Sequence, residues 1–159
     1  VDADGLNIRA ADPSATGRIT APLVLTPHPG EMARLLDSTV PAVQADRVGA
    51  ARECARRLRA VAVLKGARTV VAAPDGAVHV IAAGNAGMAS GGMGDALTGI
   101  VGGLLAQGAT PLEAALLGAH LHACAGDRAA ASRGQTSLVA GDVIDALPAL
   151  LAEWAPAPR

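Results

Sequence analysis

Short unbroken apolar runs alternate along this chain with longer stretches whose apolar positions recur at helical spacing. Leu23 to Thr26 is one such run, closed by Pro27, His28, Pro29 and Gly30. Proline cannot donate to a strand ladder, so a buried strand is predicted to end there in a loop. Glu31 to Asp37 reads as a short helix, and Thr39 to Pro41 resets the chain. From Ala42 one helix is expected, with Val43, Val48, Ala51, Ala55 and Leu58 on one side and Asp46, Arg47, Arg52, Glu53, Arg56 and Arg57 largely elsewhere. Val61 to Leu64 forms a compact strand. Thr69 to Ala73 and Ala77 to Ala83, joined by Pro74-Asp75-Gly76, read as a hairpin or a pair of neighbouring strands. After the glycine-rich stretch Gly84 to Gly94, the residues Leu97, Ile100, Val101, Leu104 and Leu105 make a sustained core-facing stripe that stops at Gln107-Gly108. Thr110 is placed to cap a helix that opens on Pro111 and runs to about Arg133. A last helix starts near Ala140 with Val143, Ile144 and Leu147, and the tail APAPR is expected to fray.

Strands alternating with helices predict an α/β layer fold with a mainly parallel sheet. No repeat or low-complexity linker divides the chain, and 159 residues suit one unit. The chain opens at Val1 without Met, and VDADGLN reads as the end of a strand entering a loop. The expectation is a piece of something longer.

Composition narrows the classes. Hydrophobic residues are 51% of the chain, almost all small aliphatics, with no Phe or Tyr and one Trp. Such a core closes if helices pack tightly on the sheet, because burial scales with apolar area. A formal net charge of -1 gives no basic excess for a nucleic-acid surface. Arg56, Arg57 and Arg59 read as a solvated helix face. Cys54 and Cys124 have neither disulfide-scaffold nor zinc spacing. His120 and Cys124 lie four apart, but two ligands without a third make a poor metal site, and core packing is the better reading. No apolar run reaches the ~20 residues of a membrane span. No membrane association and a cytoplasmic location are therefore expected.

The candidate chemistry centres on NAGMASGGMGDALTGIVGGLLAQG, Asn85 to Gly108. Gly91, Gly92, Met93 and Gly94 lie directly at a helix start, where unpaired amides and about half a unit of positive charge make a pocket for phosphate. Asp95 has two readings. It is a favourable helix-start carboxylate, or it is the general base that takes a proton from a hydroxyl attacking phosphorus. The stretch is neither a Walker A loop nor a Rossmann turn. Lys65 follows the apolar run VAVL, at the strand end where α/β folds bind ligands, or else it is a solvated loop charge. His28 between two prolines reads as a loop residue with a satisfied hydrogen bond. Asp2, Asp4 and Asn7 read as a polar strand exit.

GMASGGMGDALTG is similar to the glycine motif of NAD(P)H-hydrate dehydratases, and its GMGD core resembles the GxGD of ribokinase-like kinases. VDADGLN at Val1 to Asn7, LTPHPGEMARLL at Leu25 to Leu36 and VLKGARTVV at Val63 to Val71 agree with the same family in the same order. The resemblance implies a ribokinase-like three-layer α/β/α fold, with residues 1–159 as the C-terminal part of one domain truncated at its N-terminus. It implies a carbon–oxygen lyase that uses ADP or ATP with Mg2+ to phosphorylate the ring hydroxyl of the hydrated cofactors NADHX and NADPHX. Phosphate elimination then restores NADH or NADPH. Asp95 would be the base and contact the hydrate, and His28 would contact it too. Gly94 and the loop Lys65, Gly66, Ala67, Arg68 and Thr69 would hold the nucleotide. Asp2, Asp4 and Asn7 would help with magnesium or substrate. Ala86 stands where many relatives carry proline, and GGMGD resembles the bacterial, ADP-using branch. Homo-oligomerisation is expected, favoured by an exposed sheet edge. The competing readings are a kinase of the same fold acting on a hydroxymethylpyrimidine or thiazole alcohol, and an inactive fragment that only binds nucleotide.

Overall fold

The computed structural model describes residues 1–12 and 21–154; the tail APAPR lies outside them. The elements are α1 (Ala3–Ala11), β1 (Val24–Leu25), α2 (Pro29–Leu35), α3 (Val40–Ala45), α4 (Arg47–Leu58), β2 (Val61–Leu64), β3 (Val70–Ala72), β4 (Val78–Val80), α5 (Met93–Ala106), α6 (Pro111–Arg133) and α7 (Ala140–Trp154). Among the described residues, no helix is long and apolar enough to cross a membrane.

The strands form one sheet in the order β1-β2-β3-β4. The pair β1–β2 is parallel, with Val24 opposite Val61, while β2–β3 and β3–β4 are antiparallel. The expected parallel pairing is therefore met at β1–β2 alone in this part of the sheet. The reason is local: Lys65 to Thr69 and the Pro74-Asp75-Gly76 turn are too short for a crossover, which needs a dozen or more residues. Before β1 in the chain, Val1 lies alongside it, its nitrogen donating to the Val24 carbonyl at 2.7 Å and its carbonyl accepting from Thr26 N–H at 3.1 Å.

β2 shows why the layers form. Its four residues are all buried, and their side chains alternate between two faces. Ala62 and Leu64 join Leu6, Leu25, Met32, Val43 and Cys54 under α1 to α4. Val61 and Val63 join Val71, Leu97, Val101, Ala115 and Ala119 under α5 and α6. A third cluster, including Leu121, Ala125, Val143 and Leu150, packs α7 onto α6. This is the helix–sheet–helix layering expected. Small residues let the layers close: an added methyl at Gly118 would lie 2.7 Å from a methyl carbon of Val101.

Three expectations need correction. VDADGLN enters a helix, not a loop, and Val1 beside β1 is not itself assigned to a strand: Asp2 is the N-cap of α1, whose Leu6 and Arg9 are buried. The helix expected from Ala42 is two helices, because Asp46 ends α3 and caps α4 by accepting from Gly49 N–H at 2.8 Å. On the apolar stripes, Val48 and Ile144 are exposed. By contrast, α6 spans Pro111–Arg133 as expected, with Thr110 and Glu113 forming a reciprocal capping box.

Candidate active site

The carboxyl ends of the two parallel strands lie side by side. After β1 come Thr26, Pro27 and His28; after β2 comes Lys65, whose N–H donates to the Pro27 carbonyl at 2.8 Å. This is the edge at which open α/β sheets bind ligands. His28 caps α2 through Nδ1, which accepts from the amides of Gly30 (3.0 Å) and Glu31 (3.4 Å). Glu31 closes the box by accepting from His28 N–H at 2.7 Å. That leaves Nε2, on a half-exposed ring, 3.6 Å from the other Glu31 oxygen. The satisfied hydrogen bond expected of His28 is this cap.

Lys65 is no solvated loop charge. Its Nζ donates to Asp2 Oδ1 at 2.7 Å and lies 3.9 Å from Glu31 Oε2, with the Asp2 side chain 10% exposed. Thr98, on α5, donates its hydroxyl to the second Asp2 oxygen at 3.1 Å. Partial burial opposes charge on Asp2, but the hydrogen bond and positive charge of Lys65, with the Ala3 amide and Thr98, hold its carboxyl below its ordinary value.

The glycine-rich segment meets this pair. Gly92 is the N-cap of α5 at φ 83°, a left-handed conformation that side chains rarely adopt. With glycine there, no side chain caps the helix start. Gly94 follows, and a Cβ built on it would lie 3.1 Å from Lys65 Nζ and 3.2 Å from Asp2 Oδ2. Glycine is what lets α5 approach the ion pair so closely. Met93 is buried, Gly91 is open to solvent, and Asp95 is exposed in the first turn of α5. Beneath the start of the helix lies His122 of α6, whose hydrogen bond to the Met93 backbone does not offset burial and the nearby Lys65 charge, so its pKa falls to about 4.

The loop Lys65 to Thr69 is braced from below. Arg47, at the start of α4, donates to the carbonyls of Leu64 (3.1 Å) and Lys65 (3.2 Å). Gly66, Ala67 and Arg68 are exposed, and Thr69 returns a hydrogen bond to Gly66 O at 3.0 Å. Of the residues singled out in the sequence, Asp2, His28, Lys65 and Gly94 are therefore brought together. Asp4 and Asn7 are exposed on α1, and Asn7 accepts from Arg34 at 2.9 Å rather than joining Asp2. Among the described residues, no three His, Cys, Asp or Glu side chains are grouped to hold a metal ion.

Sequence reasoning missed Glu31, Thr98 and His122. Glu31 is three residues after its cap and Thr98 one helical turn after Gly94, so both spacings were available. For His122 no such signal existed. The sequence points instead to His120, which is not core: it is exposed, lies 3.6 Å from the Cys124 sulfur through Nε2, and stacks on Trp154 at a centroid distance of 5.3 Å.

The sequence model of the NAD(P)H-hydrate dehydratase family matches residues 1–149. The chain belongs to that family. A bifunctional NAD(P)H-hydrate repair enzyme of Moorella thermoacetica is 55% identical over 151 residues, covering 95% of this chain and 28% of the relative. An ADP-dependent (S)-NAD(P)H-hydrate dehydratase of Neisseria meningitidis is 48% identical over 149 residues, 92% of this chain and 50% of the relative. The crystal structure of the ADP/ATP-dependent NAD(P)H-hydrate dehydratase of Bacillus subtilis, grown with ATP and Mg2+, superposes with a TM-score of 0.81 at 36% identity, over 84% of this chain and 48% of that one. This dehydratase-family chain thus has the ribokinase-like fold expected from its motif order, and it spans about half or less of the length of the relatives it matches.

Proposed function

We propose that residues 1–159 are the C-terminal part of one dehydratase domain. Complete, that domain uses ADP, and less readily ATP, to convert NADHX and NADPHX into NADH and NADPH. The observation that carries this reading is the convergence at Gly94. The helix-start glycines, the Lys65 loop and Asp2 occupy one place, with His28 and Glu31 adjoining.

The chemistry follows from these positions. Uncapped amides from Gly91 to Gly94 hold the transferring phosphate at the start of α5. Lys65 and the backbone from Gly66 to Thr69 hold the rest of the nucleotide, with Arg47 keeping that loop in place. His28 orients the hydrate. Asp95 takes the proton of the ring hydroxyl as its oxygen bonds to phosphorus and the bridging oxygen leaves with the nucleotide. Loss of the new phosphate together with a ring proton restores the nicotinamide double bond.

Asp2, Glu31 and Asp95 set three carboxylates around the site, and Lys65 already gives its ammonium to Asp2. Anion binding therefore rests on backbone amides as well as on Lys65, and it favours a nucleotide that arrives with its charge screened by magnesium. Asp2 is engaged by Lys65 and Thr98, so the side chains present do not by themselves make a magnesium cage. A cytoplasmic location goes with the same reading. Half-exposed Ile144, Leu151 and Trp154 on α7 support self-association, which sedimentation velocity would detect.

The deciding experiment supplies purified NADHX, ADP or ATP, and magnesium to the complete domain and follows absorbance at 340 nm. Nucleotide-dependent recovery of NADH is expected, faster with ADP. Consumption of nucleotide on a hydroxymethylpyrimidine or thiazole alcohol without any NADH recovery would replace this reading with that of a kinase.

A further inference from the structure

Between β4 and α5 the chain runs as a strap, Gly84 to Ser90, that carries none of the roles described above, yet it is fastened throughout. Asp127, in the middle of α6, accepts from the Gly84 amide through Oδ2 at 2.8 Å and from the Asn85 side-chain amide through Oδ1 at 2.9 Å. Asn85 in turn uses its own oxygen to accept from Gly87 N–H at 3.0 Å, opening the 3-10 turn Ala86–Met88. Beside Asp127, Gly126 leaves the space that Met88 fills: an added methyl there would overlap the Met88 sulfur. On the other side, Gly87 is pressed to the Gln135 backbone so that any Cβ would overlap its carbonyl, and Ser90 donates to Leu138 O at 3.3 Å. The next residues are Gly91 to Gly94.

We infer that Asp127 is a positioning residue for nucleotide binding: its carboxylate fixes the Gly84–Asn85 end of the strap and thereby sets the path of the phosphate-holding glycines. This rests on the proposed function above. One carboxylate accepting two N–H donors satisfies both of its oxygens and fixes the strap in position and in angle. The donors belong to different groups of adjacent residues, and each meets its own carboxylate oxygen.

The hydrogen-bond pattern supplies a direct test. In Asp127→Asn, one amide oxygen can accept from Gly84, but the amide nitrogen then faces the Asn85 nitrogen, and two donors oppose each other. Turning Asn85 over relieves that clash only by presenting its nitrogen to Gly87 N–H. In Asn85→Asp, two carboxylates face each other. The double substitution Asn85→Asp with Asp127→Asn restores every bond. The amide introduced at position 127 accepts from Gly84 and donates to the carboxylate introduced at position 85, which in turn accepts from Gly87. The experiment measures, on the complete domain, the ADP dissociation constant, the Michaelis constants for ADP and NADHX, and amide exchange over residues 84–94. Each single substitution is expected to weaken ADP about tenfold, to speed exchange in that segment, and to leave the NADHX constant within about twofold; the pair is expected to recover wild-type values. Undiminished ADP binding in Asp127→Asn, or equal losses for ADP and NADHX, overturns the positioning role. Loss without recovery in the pair overturns it as well. If the unsubstituted domain itself binds no ADP, the functional reading falls, and this inference with it.

Discussion

Asp95 is the residue on which the chemistry turns, and its position permits two different outcomes. As a helix-start carboxylate it contributes only a few tenths to about 1 kcal/mol to α5. As a general base it supplies roughly 10²–10⁴-fold in rate. Asp95→Asn is expected to lower kcat within that range while the ADP dissociation constant, read by calorimetry, stays within about threefold. An unchanged kcat would reduce Asp95 to an electrostatic partner of the helix. Lys65 separates binding from folding in another way. Lys65→Met leaves the largely covered Asp2 carboxylate with the Thr98 hydroxyl and the Ala3 amide but without its cation, and should cost about 1–3 kcal/mol in urea unfolding. Adding Asp2→Asn is expected to return most of that stability and none of the lost ADP affinity. If the double variant binds ADP like the wild type, Lys65 serves the fold alone.

At the scale of elements, the joint between α5 and α6 titrates. His122 is buried against the start of α5, and one ring nitrogen, Nε2, has no hydrogen-bond partner. Its pKa is about 4 in the fold against 6.5 for an ordinary histidine. The unfolded chain therefore takes up a proton between those values that the folded chain refuses. Stability is fully present above about pH 6.5 and declines as pH falls toward 4, by roughly 3 kcal/mol at most. His122→Gln is expected to flatten thermal unfolding between pH 4 and 6.5, and a wild-type slope in the variant would move the titration elsewhere. The same scale shows what a sequence can tell. β2 and α6 are legible because four apolar residues in a row, and a Thr-Pro-Leu-Glu cap, are local signals. The opening of α1 is not, since its buried Leu6 has too few neighbours before it to show a period. Asp46 looks in the sequence like one more polar position on a helix, although it is the break between two. The glycine motif announces a phosphate site, but Thr98 and Lys65 reach Asp2 across 96 and 63 residues. Only the sheet order brings those together.

For the whole molecule, the central expectation concerns completeness. The matched relatives are about twice this length or longer, and a substrate as large as NADHX needs walls on more than one side. The 159-residue chain alone is expected to recover no NADH at 340 nm under conditions in which the complete domain does. Full activity from the short chain would mean that these residues already enclose the site. A different consequence comes from the absence of Phe and Tyr and from the placement of Trp154, stacked on His120 where α7 ends. The molecule is nearly dark in the near ultraviolet, and its one fluorophore reports on a single remote corner. Its emission tracks the docking of α7, not the integrity of the sheet. The interior can rearrange around a bound ligand with hardly any change in colour, while the cofactor it is proposed to restore supplies the strongest optical signal in the cuvette.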